Sequence, residues 1–125
     1  MLPRRHRLSR PEDYRGVLRR GRTEQPGDAR RRRAGTELLV VHAAMSTDTT
    51  VPTRPPRVGF VVSKAVGNSV VRHRVIRRLR VQVGVRLGQV PDGTDLVVRA
   101  QPRAATASSA ELGADLDEAL QRVLR

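Results

Sequence analysis

Midway through residues 57–80, RVGFVVSKAVGNSVVRHRVIRRLR, the spacing of apolar residues changes, and no other feature constrains the fold as much. Residues 58–63 alternate in the manner of a strand. After Lys64 and a Gly67-Asn68-Ser69 turn, a helix opens over residues 69–83. At about 100° per residue, Val71, Val75, Ile76, Leu79 and Val83 fall on one arc. Arg72, His73, Arg74, Arg77, Arg78 and Arg80 crowd its first three turns. Neither Asp nor Glu occurs between Lys64 and Val90, so the i,i+4 pairs that settle a solvated helix face are missing. A uniformly basic arc of His73, Arg74, Arg77, Arg78 and Arg80 is therefore read as a binding face for a polyanion. Asn68 or Ser69 can cap the helix and leave N–H groups free for an anion. Arg72 projects onto the apolar arc, where it either lines a cleft at the helix start or snorkels past the sheet edge.

The whole chain shares this bias. Over 125 residues the formal net charge is +13, and of the 25 Lys and Arg residues only Lys64 is a lysine. The isoelectric point near 11.9 lies in the range of nucleic-acid binders. Absence of cysteine excludes disulfides and thiolate metal sites and suits a reducing cytoplasm. The opening MLPRRHRLSR has no apolar core and is not a signal peptide. No apolar run approaches membrane-spanning length, and Tyr14 and Phe60 are the only aromatics, so a membrane partner is not expected.

Along the chain, one domain over residues 1–125 is expected. It begins with a mobile basic arm at residues 1–9. Ser9 and Glu12 form a capping-box pattern for a first helix that carries Tyr14, Val17 and Leu18 and stops at Gly21. Residues 22–36, with four arginines at 30–33, read as an exposed loop, as do residues 46–56. The apolar run at 38–44 reads as a strand covered on both faces. Pro91-Asp92-Gly93 makes a turn before a strand at 95–100, and 101–107 is a linker. Ser108 and Glu111 repeat the capping-box pattern before Leu112, Leu116, Leu120 and Leu124 at helical spacing. The order αββαβα implies an α+β fold, a two-layer sandwich of helices on a small mixed sheet.

A catalytic constellation is not found. His6, His42 and His73 lie far apart, and Glu111, Asp115 and Glu118 read as a solvated acidic helix face rather than a Mg²⁺ site. The chain thus reads as a binding protein. A structural rRNA-binding protein of the ribosome fits the same charge and size. A DNA-binding regulator does not, because the basic helix is flanked by strands rather than by a second helix of a helix-turn-helix pair.

The segment from Lys64 through Gly67-Asn68, Arg72-His73-Arg74, Arg77-Arg78 and Arg80 resembles the arginine-rich signature of the bacterial ribonuclease P protein subunit. His6-Arg7-Leu8, Glu12-Asp13-Tyr14, Val17 and Gly21 resemble that family's opening, so the likeness spans nearly the whole chain. It implies a basic protein that assists a catalytic RNA subunit in removing the 5′ leader from precursor tRNA. The catalytic centre, with its Mg²⁺, would lie in the RNA. The family also implies a left-handed βαβ crossover and a cleft for the single-stranded leader between the sheet and the first helix. Carried over by position, Lys64, Asn68, Ser69, Arg72, His73, Arg74, Arg77 and Arg80 would contact RNA. Tyr14, Leu18, Leu39, Val41 and Val62 would line the leader cleft. This chain departs from the signature at three places. His73 replaces the usual middle Asn, Ile76 stands where Lys is frequent, and Leu18 and Val41 stand where aromatics are common. Tyr14 is thereby the one aromatic available for stacking on leader bases.

Overall fold

A computed structural model describes residues 2–8, 11–18, 30–45 and 54–124. Its elements are α1 (Pro11–Leu18), β1 (Arg30–Gly35), β2 (Leu39–Met45), β3 (Arg57–Val61), α2 (Ser69–Gly84), β4 (Thr94–Ala100) and α3 (Ser109–Val123). Short 3-10 turns add Arg4–His6, Leu87–Gln89 and Pro102–Thr106. The strands form one mixed sheet in the order β1-β2-β4-β3. β1, β2 and β4 are successively antiparallel, whereas β3 and β4 are parallel neighbours connected through α2. The α+β expectation holds, but the observed order is αβββαβα rather than αββαβα.

The extra strand lies where the sequence suggested a loop. Residues 30–35 pair along β2, from Arg30 opposite Met45 to Gly35 opposite Val40. Four arginines have little strand preference of their own, so pairing with an apolar neighbour, not local propensity, makes this segment extended. As an edge strand its charge also discourages pairing with another chain. Residues 22–29 and 46–53, the Ser9 cap and the stop at Gly21 lie outside the described residues.

The basic arm is also corrected, because residues 2–8 are docked rather than mobile. Leu2 is fully buried in the main core, and the Leu8 N–H donates to the Val58 carbonyl at 3.0 Å. Arg7 forms a parallel bridge to Val58, so the arm covers the outer edge of β3. The apolar Leu2 and Leu8 anchor it despite the arginines between them.

One sheet face carries the main core. Leu39, Val41 and Ala43 of β2, Leu96 and Val98 of β4 and Val58 of β3 pack against Val75, Leu79 and Val83 of α2 and Leu112, Leu116, Leu120 and Val123 of α3. α3 opens with the expected capping box. Ser108 accepts from the Glu111 N–H at 3.1 Å, while the Glu111 carboxylate accepts from the Ser108 N–H at 3.0 Å. The bond from the Ser108 N–H, with a further one from the Ser108 side chain, holds the Glu111 carboxyl below the usual carboxylate range. The two helices approach closely at Gly113, where a Cβ would come within 2.6 Å of Gln82 Oε1. Beside it, Gln82 donates to Ser109 at 2.8 Å and Arg86 forms an ion pair with Asp117 at 2.7 Å.

The other sheet face carries a smaller cluster of Leu8, Val17, Ala44 and Val97, joined by Tyr14, Leu18 and Val61. α1 covers only this part of the face.

Candidate nucleic-acid interface

Asn68 caps α2, its side chain accepting from the Val71 N–H at 3.0 Å. The turn before it is tight, since a Cβ on Gly67 would stand 2.9 Å from Val71 Cβ. From this start α2 presents Ser69, Val70, His73, Ile76, Arg77 and Arg80 to solvent as one shallow groove. Val70, at 72% exposure, is an apolar spot amid the charge. Ile76, assigned by projection to the apolar arc, lines this groove on the outer face.

The basic residues divide by what they touch. Arg74 donates to the Ala105 carbonyl at 3.2 Å and Arg78 to the Ala107 carbonyl at 2.7 Å. Both therefore tie α2 to residues 105–107 at the end of the Pro102–Thr106 turn, which rotates them away from the outer arc where the sequence put them. Arg86 pairs with Asp117, Arg103 with Glu37, and Arg122 donates to the Gly35 carbonyl at 2.8 Å. Arg57 grips Asp95 with two bonds of 3.0 Å, and Arg54 reaches the same carboxylate at 2.8 Å. By contrast the side chains of Lys64, Arg72, His73, Arg77 and Arg80 have no hydrogen-bond or ion-pair partner among the described residues. Arg72 is half-buried, and its sheltered Nε, like that of Arg74, has no acceptor among the described residues.

Two further unpartnered cations lie elsewhere. In the register of the sheet, Arg33 stands opposite His42 and Arg99 opposite Val40, all on the face that α1 leaves open. With Ser63 they border a trough of about 240 Å³. The Arg33 and Arg99 side chains are exposed and make no hydrogen bond or ion pair among the described residues. Asp95, the lone acid within the four strands, is held by Arg54 and Arg57, and no carboxylate borders the trough among the described residues. Sequence reasoning missed Arg33, His42 and Arg99, because their shared face follows from strand register alone.

That register also corrects the cleft assignment. Leu39 and Val41 are 0% exposed and belong to the core beneath α2 and α3, as does the partly buried Val62. They point away from the open face, where Val40 and His42 stand instead. Successive strand residues face opposite sides, so an offset of one residue moves a whole set. Tyr14 and Leu18 pack in the small cluster beneath α1. The Tyr14 ring end lies over Gly59, and its hydroxyl donates to the Leu8 carbonyl at 3.2 Å.

Among the described residues no three His, Cys, Asp or Glu side chains gather to hold a metal ion. Glu111 is engaged in its cap, and the Asp115 carboxylate accepts from the Leu38 N–H at 3.0 Å. The described residues do not fit a Mg²⁺ site. No described helix is long and apolar enough to cross a membrane.

A basic α+β sandwich with two surfaces of unpartnered cations is a polyanion-binding protein. Its relatives give the polyanion. The Ribonuclease P family model matches residues 2–124. The ribonuclease P protein component of Streptomyces griseus subsp. griseus is 52% identical over 130 residues, covering 99% of this chain and 96% of that one. That of Corynebacterium diphtheriae is 44% identical over 127 residues, covering 100% and 98%. The fold is similar to the RNase P protein of Staphylococcus aureus, with a TM-score of 0.70, 19% identity and 93% of each chain covered. It is similar too to that of Thermotoga maritima, at 0.69, with 19% identity and coverage of 95% and 98%. The chain belongs to the ribonuclease P protein family.

Proposed function

We propose that this protein docks on the catalytic RNA of ribonuclease P through the outer face of α2 and holds the single-stranded 5′ leader of precursor tRNA on the open sheet face. As a ribonuclease P protein component it is a subunit of an RNA-processing endoribonuclease, with the ribonuclease P RNA as its partner. In this reading the chemistry and its Mg²⁺ belong to that RNA, and the complex works in the cytoplasm. The observation that carries the reading is the division of the cations. The arginines bonded to carbonyls or carboxylates join elements of the fold, while Arg72, His73, Arg77 and Arg80 stand together on α2 with no described residue to neutralise them. Lys64, on the turn between the trough and α2, joins the two surfaces. Arg33 and Arg99 replace Leu39, Val41 and Val62 as the residues that meet the leader.

The test is reconstitution with the cognate RNA at low Mg²⁺. The complex is expected to remove the 5′ leader from precursor tRNA where the RNA alone is inactive, and the protein alone to cleave nothing. Cleavage by the protein without RNA would overturn the assignment of the chemistry.

A further inference from the structure

The arm joins the two apolar layers of the protein. Leu2 belongs to the main core, with the buried faces of α2 and α3, whereas Leu8 belongs to the small cluster on the opposite sheet face. Residues 2–8 therefore wrap around the outer edge of β3 from one face to the other. Hydrogen bonds hold that path along its length. The Arg7 guanidinium donates to the Leu2 carbonyl at 2.8 Å, and His6 Nδ1 donates to the Pro56 carbonyl at 2.8 Å. The Leu8 N–H then meets the Val58 carbonyl at 3.0 Å. From there the path enters α1, because the Leu8 carbonyl accepts from the Tyr14 hydroxyl at 3.2 Å.

α1 has little else to hold it. A helix of eight residues is marginal in water without packing. Of its described side chains only Val17 is buried, with Tyr14 and Leu18 partly so. Leu8 supplies one of the four buried side chains of the cluster on which α1 rests. Only residues 9 and 10 separate Leu8 from Pro11, so fixing Leu8 limits where α1 can sit. The place of α1 on one sheet face is thus tied to a leucine buried on the other.

We propose that residues 2–8 are a strap that seats α1, and that Leu2, its anchor, is a positioning residue for discrimination of leader-bearing substrates. The second part rests on the leader-binding reading above, since α1 covers part of the sheet face on which the leader is held. Release of Leu2 loosens α1 and leaves the outer face of α2 as it was.

Tyr14 is the sole tyrosine and tryptophan is absent, so tyrosine emission of the free protein reports on α1 alone. Leu2→Gln puts an amide into a fully buried apolar site. Acrylamide quenching of Tyr14 should then rise while the far-ultraviolet circular dichroism stays native. On the holoenzyme assembled from the full chain and its cognate RNA, the affinity advantage of precursor over mature tRNA should fall by roughly tenfold. Misplacing a positioning element by about 1 Å costs up to about 100-fold. Affinity for the catalytic RNA should be unchanged, and Leu2→Met, which conserves volume, should restore both readouts. Unchanged quenching in folded Leu2→Gln protein would overturn the strap. Catalytic-RNA affinity falling as far as the leader advantage would overturn the positioning role. Where Leu2→Gln does not fold, Leu2→Ala, which leaves a cavity instead of a buried amide, carries the same comparison. Failure of both to fold would overturn the proposal, because a strap releases without the sheet. A wild-type holoenzyme that binds precursor no better than mature tRNA would overturn the leader-binding reading and the positioning role with it, and the tyrosine measurement would then decide the strap alone.

Discussion

Replacing Arg77 and Arg80 by alanine should weaken RNA docking by an amount that can be worked out beforehand. Both side chains project from the outer face of α2 and have no partner among the described residues, so their removal leaves the fold untouched. Each phosphate paired on helical nucleic acid contributes about 0.9 to the slope of log K against log salt. Measured from a 1 M reference, that slope is worth about fivefold in affinity at 0.15 M salt. The double variant should therefore lower the slope by about 1.8 and affinity by roughly 30-fold. Arg78→Ala is the informative contrast. Its guanidinium donates to the Ala107 carbonyl at 2.7 Å, and a partly buried charge-assisted bond contributes about 1–2 kcal/mol. Arg78→Ala should thus lower the melting temperature by roughly 3–8 °C and leave the salt slope unchanged. Salt titration of binding to the catalytic RNA, beside thermal melts of the free protein, measures both. Equal loss of slope for Arg77 and Arg78 would refute the division between docking and structural arginines, as would an unchanged slope in the double variant.

Gly59→Ala should cost about 1–2 kcal/mol, because the new methyl would lie 2.4 Å from Tyr14 Cε1 and Cζ and dislodge the ring from its cluster. In a Tyr14→Ala background most of that cost should vanish in a denaturant-based double-mutant cycle. Asp95→Asn should destabilise the protein by about 2 kcal/mol, since Arg57 and Arg54 lose the carboxylate that neutralises them at the sheet end. Chemical denaturation measures it, and a neutral result would mean that solvent already screens the pair. The hydrogen bond from Arg86 holds the Asp117 carboxyl below its usual range. A depressed carboxyl favours folding above its unfolded pKa, and the contribution disappears as pH falls through the lower folded value. Stability of the wild type should thus decline on acidification below about pH 4. Arg86→Gln should remove part of that acid dependence, which denaturation at a series of pH values measures.

Much of the helical framework is written locally. Asn68 sits one position before α2 and bonds back to Val71, and Ser108 with Glu111 completes its box, so both starts follow from side chains within four residues. The leucines of α3 bury as their spacing requires. The basic signature between Lys64 and Arg80 is likewise sufficient to point to the family. The sheet is harder to read for a physical reason: β2 is apolar on both faces, so its alternation carries no direction. Nothing local distinguishes Leu39 and Val41, which face the core, from Val40 and His42, which face the trough.

Local sequence thus determined the helices, their caps, the excess of unopposed charge and the kind of partner that charge seeks. Assembly of the sheet settled the remainder. β1 is a strand because β2 offers it a ladder, and the arm is fixed because Leu2 and Leu8 find apolar neighbours far along the chain. Assembly also divided the arginines into those that meet a carbonyl or carboxylate and those left for RNA. An isolated guanidinium is the same at every position, and only its neighbours in space determine whether its charge is already neutralised.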